Sequence, residues 1–277
     1  MSGKPTLALI LAGLSVSSAP EGTDSFPSDS PCRYLPHTVE SCARSGAEQI
    51  LLINCRSSQW LRASMGCPNT LRRKYRHLRI VESCRPHRES PMPAAACVQY
   101  LEQFNPRTIL LISGVHNCAV DYREMLAVHS RKRADLTAAA SLVSWLDAFS
   151  SDVLCTDWDD RILEYRPSDS RRPISNLAAM GAYAVKWSVL KAYLAGAAAE
   201  GHSGFDLGRG MIPALLAAHK RLYSYRFHGY FQAQDEAEPY WSTHTAPPVS
   251  PAVCAEEPDC SFRMDPLCHP LIHTPLV

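Results

Sequence analysis

The segment Pro106-Arg-Thr-Ile-Leu-Leu-Ile-Ser-Gly-Val-His116, with the residues that follow it, decides the fold of this chain. Thr108 to Ile112 is an aliphatic run stopped by Ser113-Gly114, which is typical of a strand buried on both faces. Leu136 to Ala140 has the same character and predicts a second strand. Between the two runs, apolar residues recur at helical spacing, at Val120, Met125, Leu126 and Val128. A strand, a helix and a strand in this order predict an α/β sheet.

Sheets of this kind bind their ligands just beyond the carboxyl ends of the strands. Val115 lies at that position, directly after the strand that ends near Ser113. A valine side chain has no polar atom, so it cannot hold a metal ion or move a proton. The sequence therefore predicts an apolar residue at a place where chemistry is expected.

Composition limits the possible partners. The chain has 277 residues, of which 46% are hydrophobic and 20% charged, and this is enough for one large globular domain. Its formal net charge of +1 gives no electrostatic reason to expect a nucleic acid or an anionic membrane as partner. No apolar run is long enough to span a membrane.

Cysteine usage indicates a reducing compartment. The chain has eleven cysteines and no CxxC pair, and a chain of this length needs no disulfide framework, so we expect reduced thiols in a cytoplasmic protein. Three cysteines and two histidines near the end do not have the spacing of a compact zinc site. We therefore expect no bound metal there: Cys254, Cys260, Cys268, His269 and His273.

The remaining pattern predicts one α/β domain over residues 1–244 and an irregular tail, rich in proline and cysteine, over residues 245–277. The start of the chain has two interpretations, a secretory signal and a buried strand ending at Gly13, and we favour the strand. Further strands are predicted at 49–54, 177–185 and 222–231, and a hairpin at 153–156 and 161–165. Helices are predicted at 39–45, 94–104, 188–199 and 211–219.

Five segments, each containing a glycine, form a further pattern along the chain. They are Leu9–Gly13, Gly114–Leu126, Leu177–Tyr183, Asp206–Pro213, and Tyr225–Tyr230 with Tyr240-Trp241. In this order they resemble the catalytic domain of ADP-glucose pyrophosphorylase over about residues 5–243. The resemblance implies a Rossmann-like three-layer α/β/α nucleotidyltransferase domain with a mainly parallel mixed sheet. It also implies a cleft lined by Gly13, Gly114, His116, Glu164, Gly181 and Asp206.

That family joins ATP to glucose 1-phosphate and releases pyrophosphate, in glycogen biosynthesis. The reaction crowds anionic oxygens around one phosphorus atom, so carboxylates hold a divalent metal and cationic residues stabilise the leaving group. A glycine-rich loop lets backbone N–H groups approach the phosphates.

This chain departs from the family at each of these parts. The residues that match the two metal carboxylates are Val115 and Ala233, and the segment after Gly13 is neither glycine-rich nor cationic. Met92-Pro-Ala-Ala-Ala96 replaces a second loop. The Glu-Lys pair that contacts glucose is absent from Arg166–Asp169, and Ala179 stands in place of a serine.

The departures favour a catalytically silent family member that needs no cofactor and acts as a binding or regulatory subunit, forming an oligomer with a related active subunit. One alternative is a decayed copy without a role. Another is an active sugar-phosphate nucleotidyltransferase with a rebuilt magnesium site, in which Asp235 replaces Ala233 and His116 or Asp121 adds a ligand. Nucleotide or sugar-phosphate binding remains open in each case. Residues 245–277 are too few for the β-helix domain that follows in full-length members, which leaves a single-domain form and a truncated one as alternatives.

Restoring the two carboxylates tests the rest of the site. We expect a Val115→Asp, Ala233→Asp double variant to bind a divalent metal weakly, by calorimetry, and still to release no pyrophosphate. No Lys or Arg lies between Gly13 and Arg33 to stabilise the leaving group, and groups that act as a unit recover little when only some return. Turnover of about 10 per second, ordinary for an enzyme, would contradict this expectation.

Overall fold

The computed structural model of the chain describes residues 5–12, 35–54, 58–65, 78–82, 94–113, 120–168, 172–199 and 208–229. Within them lie the strands β1 (Thr6–Ala12), β2 (Gln49–Asn54), β3 (Leu78–Glu82), β4 (Thr108–Ser113), β5 (Leu136–Leu142), β6 (Val153–Thr156), β7 (Ile162–Arg166), β8 (Leu177–Lys186) and β9 (Leu222–Phe227). The helices are α1 (Leu35–Arg44), α2 (Ser58–Met65), α3 (Ala94–Glu102), α4 (Tyr122–Arg131), α5 (Trp145–Ala148), α6 (Trp187–Ala199) and α7 (Met211–Ala217).

The strands form one mixed sheet with the order β3-β2-β1-β4-β8-β5-β9. The pairs β3–β2, β2–β1, β1–β4 and β5–β9 are parallel, whereas β8 is antiparallel to both β4 and β5. The hairpin β6–β7 joins the sheet through β8. The predicted mainly parallel α/β sheet is therefore confirmed, and its one reversed central strand is β8.

Helices cover both faces of the sheet, which makes the domain three-layered. On one face, Leu9 and Leu111 pack with α3, α6 and α7. On the other face, Ile10 and Ile112 pack with α1, α2 and α4. Because neither face meets solvent, the central strands are apolar at nearly every position.

The first strand lies inside the sheet and not at its margin. Leu7 pairs with Gln49 of β2 on one side and Ile109 of β4 on the other. The strand interpretation of this segment is confirmed. Within the described residues, no helix has the length and apolar character needed to cross a membrane.

The structure differs from the sequence-based expectation in the detail of four elements. Helix α1 begins at Leu35 because Pro36 is tolerated in a first helical turn. Helix α4 buries Tyr122 and His129 with Met125, whereas Val128 is only half-buried. The short helix α5 was not predicted. Strand β9 ends at Phe227, since the chain turns so close to this ring at Gly229 that a Cβ atom there would overlap it.

The predicted cleft depends on the loop ends after Gly13, Gly114 and Phe231, with Val115 and Ala233 close together. All of these positions lie outside the described residues. The last described residues of β1 and β4 lie side by side, with Leu11 paired to Ser113. The convergence of the loops stays a prediction.

The buried His129 side chain should make stability pH-dependent. Its burial, together with the nearby Lys186 and Arg107, lowers the pKa to about 4 against the opposing effect of Asp135. Between pH 6.5 and 4 the histidine of the unfolded chain takes up a proton, whereas His129 of the folded chain does not. Lowering the pH over this range should therefore decrease the free energy of unfolding by about 3 kcal/mol through His129 alone.

Urea unfolding at several pH values between 4 and 7 measures this dependence. The His129→Gln variant lacks the titrating group. We expect its free energy of unfolding to change less steeply with pH than that of the unmodified chain. An unchanged slope in that variant would assign the pH dependence to other side chains.

Candidate functional site

At the carboxyl edge of the sheet, the start of α4 carries two acidic side chains, Asp121 and Glu124. Asp121 is the N-cap of α4, and its Oδ1 atom accepts a hydrogen bond from the Arg123 backbone N–H at 2.9 Å. The Arg123 guanidinium binds the same carboxylate, with Nη2 at 2.7 Å from Oδ2. Arg123 therefore lowers the pKa of Asp121 below its ordinary value. This carboxylate is engaged as a helix cap and ion-pair partner.

A second polar corner lies where the hairpin β6–β7 meets β8 and the start of α7. Its centre is Asp152, which directly precedes β6 and whose backbone carbonyl accepts from the Ala179 N–H of β8 at 2.8 Å. The Oδ2 atom of Asp152 accepts from the Tyr165 hydroxyl at 2.6 Å, and Oδ1 accepts from the Ser168 N–H at 2.9 Å. The carboxylate thus joins two segments of the chain.

Arg209 supplies the positive charge of this corner. Its Nη2 atom lies 3.5 Å from Asp152 Oδ1 and donates to Ser168 Oγ at 2.8 Å. Both charged side chains are largely buried, with 23% of Arg209 and 14% of Asp152 exposed. A buried pair of this kind is held by its hydrogen bonds, and either partner alone would be costly to leave in the interior.

Two tyrosine hydroxyls and a glycine close the corner. Burial and the Asp152 carboxylate raise the pKa of Tyr165 far above its ordinary value, so the phenol stays neutral and donates. A Cβ atom on Gly208 would lie 3.1 Å from the Tyr165 hydroxyl and 3.2 Å from that of Tyr183. Glycine at this position lets the loop before α7 approach both rings.

Two of the predicted cleft residues can be placed. Glu164 is exposed on β7 and forms an ion pair with Arg166, so its neighbour Tyr165 is the residue of β7 that faces the corner. Gly181 has a positive φ of 69° where the register of β5 against β8 shifts between Ala138 and Ala140. This β-bulge explains why the position is a glycine, since the bulged residue has a positive φ. Bulges are common next to functional sites.

The other sequence-based site residues lie outside the described part of the chain: Gly13, Gly114, Val115, His116, Asp206, Ala233 and Asp235. Sequence reasoning missed Asp152, Tyr165 and Arg209 as one group. Tyr165 follows the predicted cleft residue Glu164, and Arg209 lies in the segment Asp206–Pro213, so both were close to a sequence signal. Asp152 had no such signal, because a single aspartate before a short strand has no distinctive pattern.

The corner presents hydroxyls, an amide and a guanidinium, the groups that bind a sugar or a phosphate. Here, however, one internal carboxylate already binds the tyrosine, the amide and the guanidinium. An incoming phosphate would have to compete with Asp152 for Arg209. The Tyr165 hydroxyl lies beside the Asp152 carboxylate, but its raised pKa keeps it a neutral hydrogen-bond donor and not a nucleophile.

Comparison with known proteins identifies the class. A family profile described as nucleotidyl transferase matches residues 24–243, and the chain belongs to that family. Its similarity to glucose-1-phosphate adenylyltransferases confirms the resemblance to ADP-glucose pyrophosphorylase.

The enzyme of that name from Desulfitobacterium hafniense (strain Y51) is 39% identical over 147 residues, covering 53% of this chain and 37% of the relative. The one from Geobacillus stearothermophilus is 36% identical over 147 residues, 53% of this chain and 38% of the relative. The one from Clostridium acetobutylicum is 28% identical over 257 residues, 88% of this chain and 67% of the relative. The chain thus aligns with between about a third and two thirds of the length of these relatives.

Removing one carboxylate at a time tests the assignment of the corner. We expect Asp152→Ala to lower the free energy of unfolding by about 3 kcal/mol, because it removes the acceptor shared by three donors in a buried place. Glu164→Ala removes an exposed carboxylate and should cost less than about 1 kcal/mol. Urea unfolding of both variants measures the difference, and equal effects would show that Asp152 is not the centre of a buried network.

Proposed function

We propose that this chain is a catalytically silent member of the glucose-1-phosphate adenylyltransferase group. It acts as a binding or regulatory subunit and forms an oligomer with a related active subunit in the cytoplasm. The observation that carries the proposal is the pair Val115 and Ala233, which match the family's two metal carboxylates by resemblance.

The expected magnesium ion does not fit this donor set. Valine and alanine side chains contain only carbon and hydrogen, whereas magnesium requires oxygen ligands. Without the ion, several kcal/mol of transition-state stabilisation are lost, and each 1.36 kcal/mol is about a factor of ten in rate. We therefore derive no catalytic step for this chain.

The geometry of the charged side chains supports the same conclusion. Asp121, the described residue considered as a substitute ligand, has both carboxylate oxygens bound to Arg123. Arg209, at the corner suited to a sugar phosphate, has Asp152 as an internal partner. These residues are arranged to complete the fold, which is the arrangement expected of a retained scaffold.

A working enzyme with a rebuilt metal site is the competing function. It rests on Asp235, which follows Ala233 by two residues and would point to the same side if the strand continued. The two proposals differ in one measurable property, which is magnesium-dependent turnover.

We expect the purified chain to release no pyrophosphate from ATP and glucose 1-phosphate with magnesium present. An intact glucose-1-phosphate adenylyltransferase assayed in parallel serves as the positive control. Steady turnover that disappears in an Asp235→Ala variant would establish the rebuilt site and overturn the proposal.

The subunit role has its own test. When the chain is co-expressed with an intact glucose-1-phosphate adenylyltransferase encoded in the same genome, we expect the two to elute together in size-exclusion chromatography. The KM or effector response of the active partner should then differ from that of the partner alone. Separate elution with unchanged kinetics would favour a decayed copy without a role.

A further inference from the structure

A cleft of 360 Å³ opens at the end of the sheet opposite to the carboxyl edge. Arg107 precedes β4 and Arg221 precedes β9, while Lys186 ends the antiparallel strand β8. The cleft therefore lies at the amino ends of the parallel strands. His129 and Arg133 reach it from the carboxyl end of α4.

The cleft carries an excess of positive charge. Four cationic side chains line it, and no carboxylate is among the lining residues; Asp135 lies beside it as an ion-pair partner. Lys186 Nζ lies 2.7 Å from Asp135 Oδ1, and Arg221 Nε lies 3.9 Å from Oδ2, so this carboxylate is shared by two of the cations. Arg107 and Arg133 form no ion pair with the described residues, which leaves a net charge of three positive.

The backbone of Arg133 ends helix α4 in a left-handed conformation, with a φ of 49°. Its N–H donates to the Ser130 carbonyl at 3.1 Å and the Ala134 N–H donates to the His129 carbonyl at 3.0 Å, which is a common helix end. A cation near a helix carboxyl end is favourable, but that effect does not require this residue at a left-handed position. Asn105 and His219 are also left-handed after α3 and α7, so the conformation of Arg133 completes its helix, and the same turn brings Arg133 to the cleft.

A buried histidine also lines the cleft. The His129 side chain is 4% exposed, and its Nδ1 atom lies 3.0 Å from Thr137 Oγ1. Its other nitrogen, Nε2, is buried and has no hydrogen-bond partner among the described residues. Buried polar atoms are nearly always paired, and an anion beside this ring would supply the acceptor that a protonated Nε2 lacks.

From these observations we propose that the cleft at the amino ends of β4, β5 and β9 binds a phosphate group of a small metabolite. Two guanidinium groups without carboxylate partners, from Arg107 and Arg133, offer the paired N–H donors that match phosphate oxygens. The volume is that of a small-molecule pocket, so it accommodates a phosphate monoester. Nothing in this site depends on the carboxyl edge or on the corner around Asp152.

Titration with inorganic phosphate and with glycerol 3-phosphate tests the proposal. Ionic strength is held constant with sodium chloride, so that general screening does not change. We expect saturable binding, by calorimetry or by NMR shifts, with a Kd of about 1 mM or tighter. Arg107→Gln should weaken binding about tenfold, the effect of losing one charge-assisted contact.

Two matched variants locate the site. Arg161→Gln removes the same charge from the exposed end of the β6–β7 turn, and we expect it to leave the Kd unchanged. Arg209→Gln changes the corner around Asp152, and phosphate binding should survive it. Binding that is lost in Arg209→Gln but retained in Arg107→Gln would overturn the proposal and place phosphate in the other corner. The absence of saturable binding would also overturn it.

Arg133→Gly separates binding from folding. Glycine relieves the left-handed backbone and removes the guanidinium, so we expect affinity for phosphate to fall about tenfold while the melting temperature stays the same or rises. A lower melting temperature would show that Arg133 stabilises the fold and would contradict its role as a ligand-binding residue. In NMR titrations, saturating phosphate should also raise the pKa of His129 from about 4, because an anion favours the protonated ring.

Discussion

Leu9 and Ile10 are neighbours in β1 that point to opposite faces of the sheet, and neither is exposed to solvent. The rest of the structure depends on this double burial. Each such side chain contributes about 1.5–3 kcal/mol when fully buried, and the adjacent strand β4 repeats the pattern at Leu111 and Ile112. Helices must therefore cover both faces, and the polar groups that bind ligands are confined to the ends and edges of the sheet.

The two ends of the sheet use their charges differently. Near the carboxyl edge, Asp121 and Asp152 bind the arginines beside them and so complete a cap and a corner. At the amino ends, Asp135 is shared between Lys186 and Arg221, and the charge of Arg107 remains uncompensated among the described residues. Carboxylates that are neutralised by arginines of the same chain stabilise the fold. An arginine without a carboxylate partner is instead available to bind an anion from solution. This contrast fits a nucleotidyl transferase scaffold used for binding.

The reversed strand β8 connects these regions. It lies between β4 and β5, passes the Asp152 corner at Ala179, carries the bulge at Gly181 and ends at Lys186 in the cationic cleft. A ligand at either end would contact an element that also contributes to the other end. The bulge at Gly181 changes the pairing of β8 between its start at the Asp152 corner and its end at the cationic cleft.

The sequence by itself determined the α/β class, the hairpin, and the strands at 7–12, 49–54, 108–113 and 177–185. Strands that are buried on both faces form continuous apolar runs, and these can be recognised without tertiary context. It also determined the residue identities at Val115 and Ala233, on which the predicted loss of the metal ligands depends. The tertiary structure alone decided that β8 is reversed, that Tyr165 and not Glu164 faces the Asp152 corner, and that Arg107, Arg133 and His129 meet in one cleft. These facts depend on pairing between residues far apart in the chain, and a local pattern carries no information about such pairing.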